Sequence, residues 1–414
     1  MSRLRVAIIA PPWLALPIKG YGGIELVLDG LIDGLKKLDV EVEIFANGEH
    51  KTRGVKTHSL YKTEQFKEIH RPGYETLPIM AAHMQFALTK IKEDGGFDII
   101  HDHNGYIGPQ LLAWASADPE IPPIVHTHHG PPFSTKEMLA QGLPDNRPYW
   151  EQMAQHMGRS FIIGISEALM QPAPKALQPY ILPPVYNAID VDHFPFVANK
   201  KNYFITLARF SHDKGQHIAV KLAAKTKSRL RMAGTVAGIE SSRKLLFELA
   251  NPMSNYRNMA EFRYYSDHIL SYTLRYPKIT FSGNLKGARK NKFISEAKAL
   301  LFPIDWEEPF GMAVIEALAC GTPVIAMNRG AMPEIIEHGV NGFLADTEAE
   351  FLEYMGRVDE IDPAACRQSV IDKFSKDVMA TSYLARYKQA IKLSAKSAVS
   401  GQNSSASKPK KTKK

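Results

Sequence analysis

The sequence predicts an α/β chain made of two Rossmann-like, doubly wound halves. Short apolar, β-branched strands recur, each followed by a turn and a helical stretch, the pattern of parallel strands joined by crossover helices. At 414 residues the chain is too long for one ordinary core. Between 188 and 200, in "AIDVDHFPFVANK", the periodicity is lost before a second strand series begins.

The first half holds five strand signals: "RVAIIA" (5–10), "VEVEIFA" (40–46), "FDIIHDH" (97–103), "PIVHTHH" (123–129) and "FIIGIS" (161–166). The second holds "NYFITLARF" (202–210), "SRLRMAG" (228–234), "KITFSG" (278–283), "KALLFPI" (298–304) and "TPVIAM" (322–327). The predicted boundaries are 1–190 for one domain and 191–374 for the other, with a helical stretch over 375–394 and a basic tail over 395–414. The tail is rich in Ser, Lys and small residues and is expected to be disordered. Residues 250–276, with several Tyr and Arg, read as an exposed helix pair.

Composition excludes several classes. A 44% hydrophobic share with 23% charge is globular, and no apolar run reaches the roughly 18 residues needed to span a bilayer. Pro11 and Pro12 cut off the short apolar start, so it reads as a first strand rather than a secretory signal, and the expected location is the cytoplasm. Cys320 and Cys366 form no disulfide framework and have no metal-ligand spacing. The formal charge of +8 suggests nucleic acid until it is located: six lysines lie between 396 and 414, leaving only +2 for the rest. No nucleic-acid partner is therefore predicted, and the tail leaves room for weak contact with an anionic membrane surface at the inner face.

The densest signal is "EEPFGMAVIEALACGTPVIA" (307–326). It reads as a loop, a helix with Pro309 near its first turn, a stop at Gly321 and a buried strand from Thr322 to Ala326. Glu316 is the one carboxylate inside the apolar run, and a buried carboxylate needs a partner. Ribose hydroxyls would satisfy it; so would a nearby Arg or Lys. Glu308 lies just before the helix, so the two glutamates can touch opposite ends of one extended ligand. In parallel sheets ligands bind beyond the carboxyl ends of the strands, where a helix N-terminus favours phosphate.

Three further groups fall at strand ends. In "LARFSHDKGQH" (207–217), Arg209 and Lys214 are two cations able to hold a diphosphate, or simply a solvated face. In "IKGYGGIELVLDGL" (18–31), Gly22 and Gly23 permit close backbone approach to a ligand, or form a tight turn; the pattern is not G-x-G-x-x-G, which weakens a nicotinamide reading. "HDHNGY" and "HTHHG" put His101, Asp102 and His103 at one strand end and His126, His128 and His129 at the next. In an extended strand His126 and His128 share a face and His129 points the other way. Such a group could hold a metal, as in a hydrolase, or lend one His to a sugar pocket while the others bond structurally.

Taken together these motifs resemble the retaining GT-B glycosyltransferases of family GT4, from about residue 5 to 390. Glu308 and Glu316 meet the family's E-x7-E signature, and "RGAMPEIIEHGVNGFLA" (329–345) looks like its continuation. "ARFSHDKG" is similar to its G-R-x-x-x-x-K-G element, "YGGIE" to its glycine loop, "HTHHG" to its T-x-H-G strand end and "GISE" (164–167) to its S-E step. Ala208 and Ala188 stand where the family usually has Gly.

The resemblance implies two domains facing across a cleft and a nucleoside diphosphate sugar as donor, with no cofactor and no metal. It implies catalytic roles for His129, Arg209, Lys214 and Glu308, and donor binding by Gly22, Gly23, Phe310, Gly311 and Glu316. Glu316 would take ribose hydroxyls, Phe310 and Gly311 would offer backbone N–H groups to the sugar, and Arg209 and Lys214 would hold the diphosphate. The stretch around 375–393 would cross back to the first domain, with Val378, Tyr383, Leu384 and Tyr387 as its apolar face. Glycan, lipid and small-molecule acceptors are all compatible, and no motif specifies the oligomeric state. Two other readings stand beside this one: a metal-dependent hydrolase using His101, His103, His126 and His128, and a nucleotide-sugar-binding protein without turnover.

Overall fold

The computed structural model describes residues 3–16, 23–52, 54–105, 107–140 and 142–405. It divides into two compact units, one formed by 1–186 with 376–414 and the other by 187–375.

The first unit holds β1 (Arg5–Ile9), β2 (Glu41–Phe45), β3 (Lys56–His58), β4 (Ile99–Asp102), β5 (Ile124–His128), β6 (Ser160–Gly164) and β7 (Ile181–Leu182). They form one sheet in the order β3-β2-β1-β4-β5-β6-β7, parallel at every pairing. Strands buried on both faces should read as unbroken apolar runs, and β1 does, with Val6 to Ile9 fully buried. The strand order reverses between β1 and β4, which is where ligands collect in such sheets. The histidines lie at the carboxyl ends of β4 and β5, with His103 and His129 just beyond them, beside that point.

The second unit holds β8 (Lys201–Leu207), β9 (Leu230–Ala233), β10 (Ile279–Phe281), β11 (Ala297–Phe302), β12 (Val324–Met327) and β13 (Gly342–Ala345). Its sheet, also parallel, has the order β10-β9-β8-β11-β12-β13 and reverses between β8 and β11. The segments carrying Arg209 and Glu308 leave the carboxyl ends of these two central strands. The predicted strand signals all fall on strands; β3, β7 and β13, of two to four residues and at or next to sheet edges, were not predicted.

Helix boundaries differ from the sequence reading in two places. The helix expected to begin near Pro309 runs Met312–Ala319, with Gly311 as its N-cap. It starts later because Glu307 and Glu308 are tied to another loop: the Gly330 N–H donates to Glu307 Oε2 at 2.6 Å and the Ala331 N–H to the Glu308 carbonyl at 2.9 Å. The last helix runs Lys376–Ser405, past residue 394 where the sequence reading ended it.

That helix belongs to the first unit and packs along the helix Gly23–Lys37. Met379, Ala380, Tyr383, Tyr387 and Ala390 recur at helical spacing and are buried. A Cβ added to Gly34 would lie 2.5 Å from the Ala380 Cβ, so the two helices approach closely there. Residues 250–276 do hold a helix pair, Ala260–His268 and Leu270–Arg275, but Phe262, Tyr264 and Tyr265 are buried rather than exposed. No described helix is long and apolar enough to cross a membrane.

Candidate active site

In the second unit, three loops converge beyond the carboxyl ends of β8 and β11. The Lys214 Nζ lies 2.6 Å from Glu308 Oε2, and the Trp306 indole N–H donates to the same oxygen at 2.8 Å. The ammonium also sits 4.4 Å from the Trp306 ring centroid, a cation–π contact. Both charged side chains are mostly shielded from solvent, so the pair is stronger than a surface ion pair. The Asp305 N–H donates to the Asp213 carbonyl at 2.8 Å, fastening the Lys214 loop to the Trp306 loop.

Two glycines make this convergence possible. Gly215 has φ +67°, and a Cβ there would stand 1.7 Å from the Pro303 carbonyl oxygen. Gly330 has φ +55°, and a Cβ there would stand 2.4 Å from both the backbone N and O of Glu308. A side chain at either position would push the lysine or the glutamate out of place.

Arg209 stands at the open side, half-exposed, 3.7 Å from Glu261 and 3.9 Å from Asp213. These loose pairings leave its guanidinium able to turn toward an anion. Glu316, buried in the helix Met312–Ala319, finds the cationic partner its position requires: Lys290 Nζ at 2.7 Å, from the helix Gly287–Ser295. Phe310 is buried edge-to-face against Phe374, with centroids 5.8 Å apart, which anchors the chain just ahead of Gly311.

The remaining predicted residues belong to the first unit. Gly23 opens the helix Gly23–Lys37 and is exposed; Gly22 lies outside the described residues. The histidines form two hydrogen-bonded branches. In one, His129 Nε2 and His103 Nδ1 share a proton at 2.8 Å, with the rings stacked at 5.2 Å. In the other, His126 Nδ1 meets Asp102 Oδ2 at 2.5 Å, and His126 Nε2 meets His128 Nδ1 at 3.3 Å. His101 bonds to Tyr387 OH at 2.7 Å and Thr127 Oγ1 at 2.8 Å. Burial disfavours the charged forms throughout. It holds His101, His103 and His128 well below the ordinary histidine value, brings His126 down to about 3 and pushes Asp102 up to about 7. His129, pulled down mainly by burial and then by His126, keeps a partly accessible edge at the mouth of the group.

This arrangement is a set of neutral, mutually bonded rings, and it corrects the hydrolase reading. His101 spends both ring nitrogens on Tyr387 and Thr127, and His126 spends both on Asp102 and His128, so these rings do not converge on a common point. Among the described residues, the group of His and carboxylates close enough to share an ion is instead Glu43, His58 and Asp94. Glu43 is already bound by Arg5 at 2.7 Å, Lys56 at 3.1 Å and His58 at 2.7 Å. Burial alone would raise its pKa, but these hydrogen bonds take it down to about 2.

Sequence reasoning missed Trp306 and Lys290 as partners of the two glutamates, and His103 as the partner of His129. Trp306 lay in view, two residues from Glu308. Lys290 sits 26 residues from Glu316, on a helix whose facing follows only from the fold.

Comparison with known proteins agrees with this architecture. The Glycosyltransferase Family 4 model matches residues 21–193, and the Glycosyl transferases group 1 model matches residues 189–361. The D-inositol 3-phosphate glycosyltransferase of Pseudarthrobacter chlorophenolicus is 24% identical over 363 residues, covering 78% of each chain. Among solved structures, the sucrose-phosphate synthase of Thermosynechococcus elongatus superposes with a TM-score of 0.62 at 20% identity, over 94% of this chain and 99% of that one. HepE of Anabaena in complex with UDP-glucose superposes with a TM-score of 0.60 at 17% identity, over 94% and 100%. The two family matches meet at the join between the units, one glycosyltransferase model on each half, and the chain is a glycosyltransferase of the GT-B fold.

Proposed function

We propose that the chain moves a hexose from a nucleoside diphosphate sugar to an acceptor hydroxyl with retention of anomeric configuration. The observation that carries this reading is the junction of Lys214, Glu308 and Trp306 at the carboxyl edge of the second sheet, with Arg209 beside it and the buried Glu316 about one turn into the adjoining helix. The spacing suits an extended donor. The sugar lies by Glu308 and the N-terminus of the helix Met312–Ala319, the diphosphate by Arg209 and Lys214, and the ribose by Glu316.

In the reaction the acceptor oxygen bonds to the anomeric carbon as that carbon's bond to the β-phosphate oxygen breaks. The electron pair leaves with the diphosphate, and the acceptor's proton passes to a diphosphate oxygen on the same face. Arg209 and Lys214 then face the negative charge where it grows, which is where electrostatic stabilisation contributes most. These two cations supply the positive charge that a metal would otherwise bring, so the proposal needs no metal step. Glu308 orients Lys214 and accepts from a sugar hydroxyl. In the first unit His129, held by His103, offers a neutral ring able to bond a sugar hydroxyl. UDP-glucose, the ligand named for the HepE complex, is the first donor to try.

The test is donor turnover with UDP-, GDP- and ADP-hexoses, with proton NMR of the released or transferred sugar. An α-linked donor giving an α-configured product supports the proposal. A β-configured product contradicts retention, and nucleotide release that persists at full rate in Lys214→Ala contradicts the site.

A further inference from the structure

The second sheet has a feature at its opposite edge that the transfer reaction does not use. Because β8, β9, β10 and β11 are parallel, Lys201, Arg229, Lys278 and Glu296 all stand at their amino ends. With Lys227 and Arg231 they line an open cavity of about 700 Å³. Arg209 and Glu308 lie beyond the carboxyl ends, ~20 Å away for a strand the length of β8.

The lining holds five cations, Lys201, Lys227, Arg229, Arg231 and Lys278, and one carboxylate, Glu296. Lys201 pairs with Glu296 at 2.8 Å, Lys278 donates to the Lys227 carbonyl at 3.2 Å, and Arg231 lies over the rings of Tyr203 and Phe293 at 4.9 and 5.1 Å. Cations here also face the carboxyl ends of the helices Gln216–Thr226 and Leu270–Arg275, each carrying roughly half a negative charge. Those two ends and Glu296 together offset about two of the five positive charges. The chain outside its lysine-rich tail is otherwise nearly neutral, so this excess is local.

We propose that this cavity binds a phosphate-bearing anion, with Lys227, Arg229 and Lys278 at its open mouth and Arg231 beneath. The shared chemistry is a phosphate group of at least one negative charge, presented either by a lipid headgroup at a membrane surface or by a free phosphate or phosphoester. A planar guanidinium and flanking ammonium groups on a concave wall suit such a group, and the interaction weakens with salt.

The test uses the full chain and two probes. One is sedimentation with phosphatidylcholine vesicles containing about 30% phosphatidylglycerol, against pure phosphatidylcholine vesicles. The other is titration with inorganic phosphate followed by thermal melting, at saturating UDP so that the diphosphate site is filled. The parent is compared with Arg229→Ser/Lys278→Ser and with Lys227→Asn, the latter suited to the left-handed backbone at Lys227 (φ +55°). The expected result is binding to one probe, reduced about thirtyfold in the double variant, as two surface cations contribute, and abolished by roughly 0.5 M salt. Vesicle binding alone assigns the lipid source; a phosphate response alone assigns the free source. Should the double variant fail to fold, Lys227→Asn alone carries the comparison. Equal behaviour of parent and folded variants toward both probes, including vesicle binding held by the lysine-rich tail, overturns the proposal.

Discussion

Lys214 and Glu308 each have a role that the other makes possible: the carboxylate fixes the ammonium's position, and the ammonium fixes the carboxylate's, in a shielded place. Lys214→Ala should lower donor turnover by about 100- to 1000-fold, the usual effect of removing one group aimed at developing charge. Its melting temperature should stay near the parent's, and steady-state kinetics with nucleotide release as readout checks this. Lys290→Met acts differently. It leaves Glu316 buried without its cation, which should cost about 1–2 kcal/mol of stability, less than a fully buried pair because Lys290 is a quarter exposed. Chemical denaturation measures the loss, and a nucleoside diphosphate that binds Glu316 should restore part of it.

Among the elements, the turn at Gly330 and the His-bearing strand ends carry the sharpest expectations. Gly330→Ala puts a methyl against the Glu308 backbone at a strained φ, so turnover should fall by more than an order of magnitude while the sheet still folds. Circular dichroism alongside kinetics separates the two effects. In the first unit, an ordinary histidine takes up its proton near pH 6.5, whereas burial keeps His101, His103 and His128 neutral to far lower pH, and His126 and His50 neutral to about 3 and 4. The unfolded chain therefore binds more protons below pH 6.5, and stability is lost as pH falls from there. Asp102, raised to about 7, acts in the opposite sense by one proton between pH 7 and its ordinary value of 3.8. The histidines outnumber it, so melting temperature should fall steadily from pH 7 to pH 5; a flat or rising profile would contradict the neutral, buried assignment. Strand positions were legible in the sequence because β1, β6 and β11 are largely apolar runs long enough to carry a pattern. The short edge strands β3 and β13 were not, since three or four residues have no measurable period and take their pairing from the neighbouring strand.

At the scale of the whole molecule, the sequence showed two halves because the strand series stops and restarts, and it showed the candidate site through the E-x7-E spacing of Glu308 and Glu316. What it could not show was the company these residues keep. Lys290, Trp306 and His103 are chosen by tertiary packing, and their identities carry no local signal. The final helix is a related case: its tyrosines at 383 and 387 marked an apolar face, but that they end on Thr127 and His101 depends on where the sheet stands. The account rests on one claim, that the second unit binds a nucleoside diphosphate along the line from Lys214 to Glu316. The most direct test is the melting temperature of the parent chain and of Glu316→Ala with UDP, GDP, ADP and their hexose derivatives. The account predicts that one nucleotide series raises the parent's melting temperature and that this rise is lost in the variant; a flat response across the whole panel, or a rise of equal size in both proteins, would contradict it.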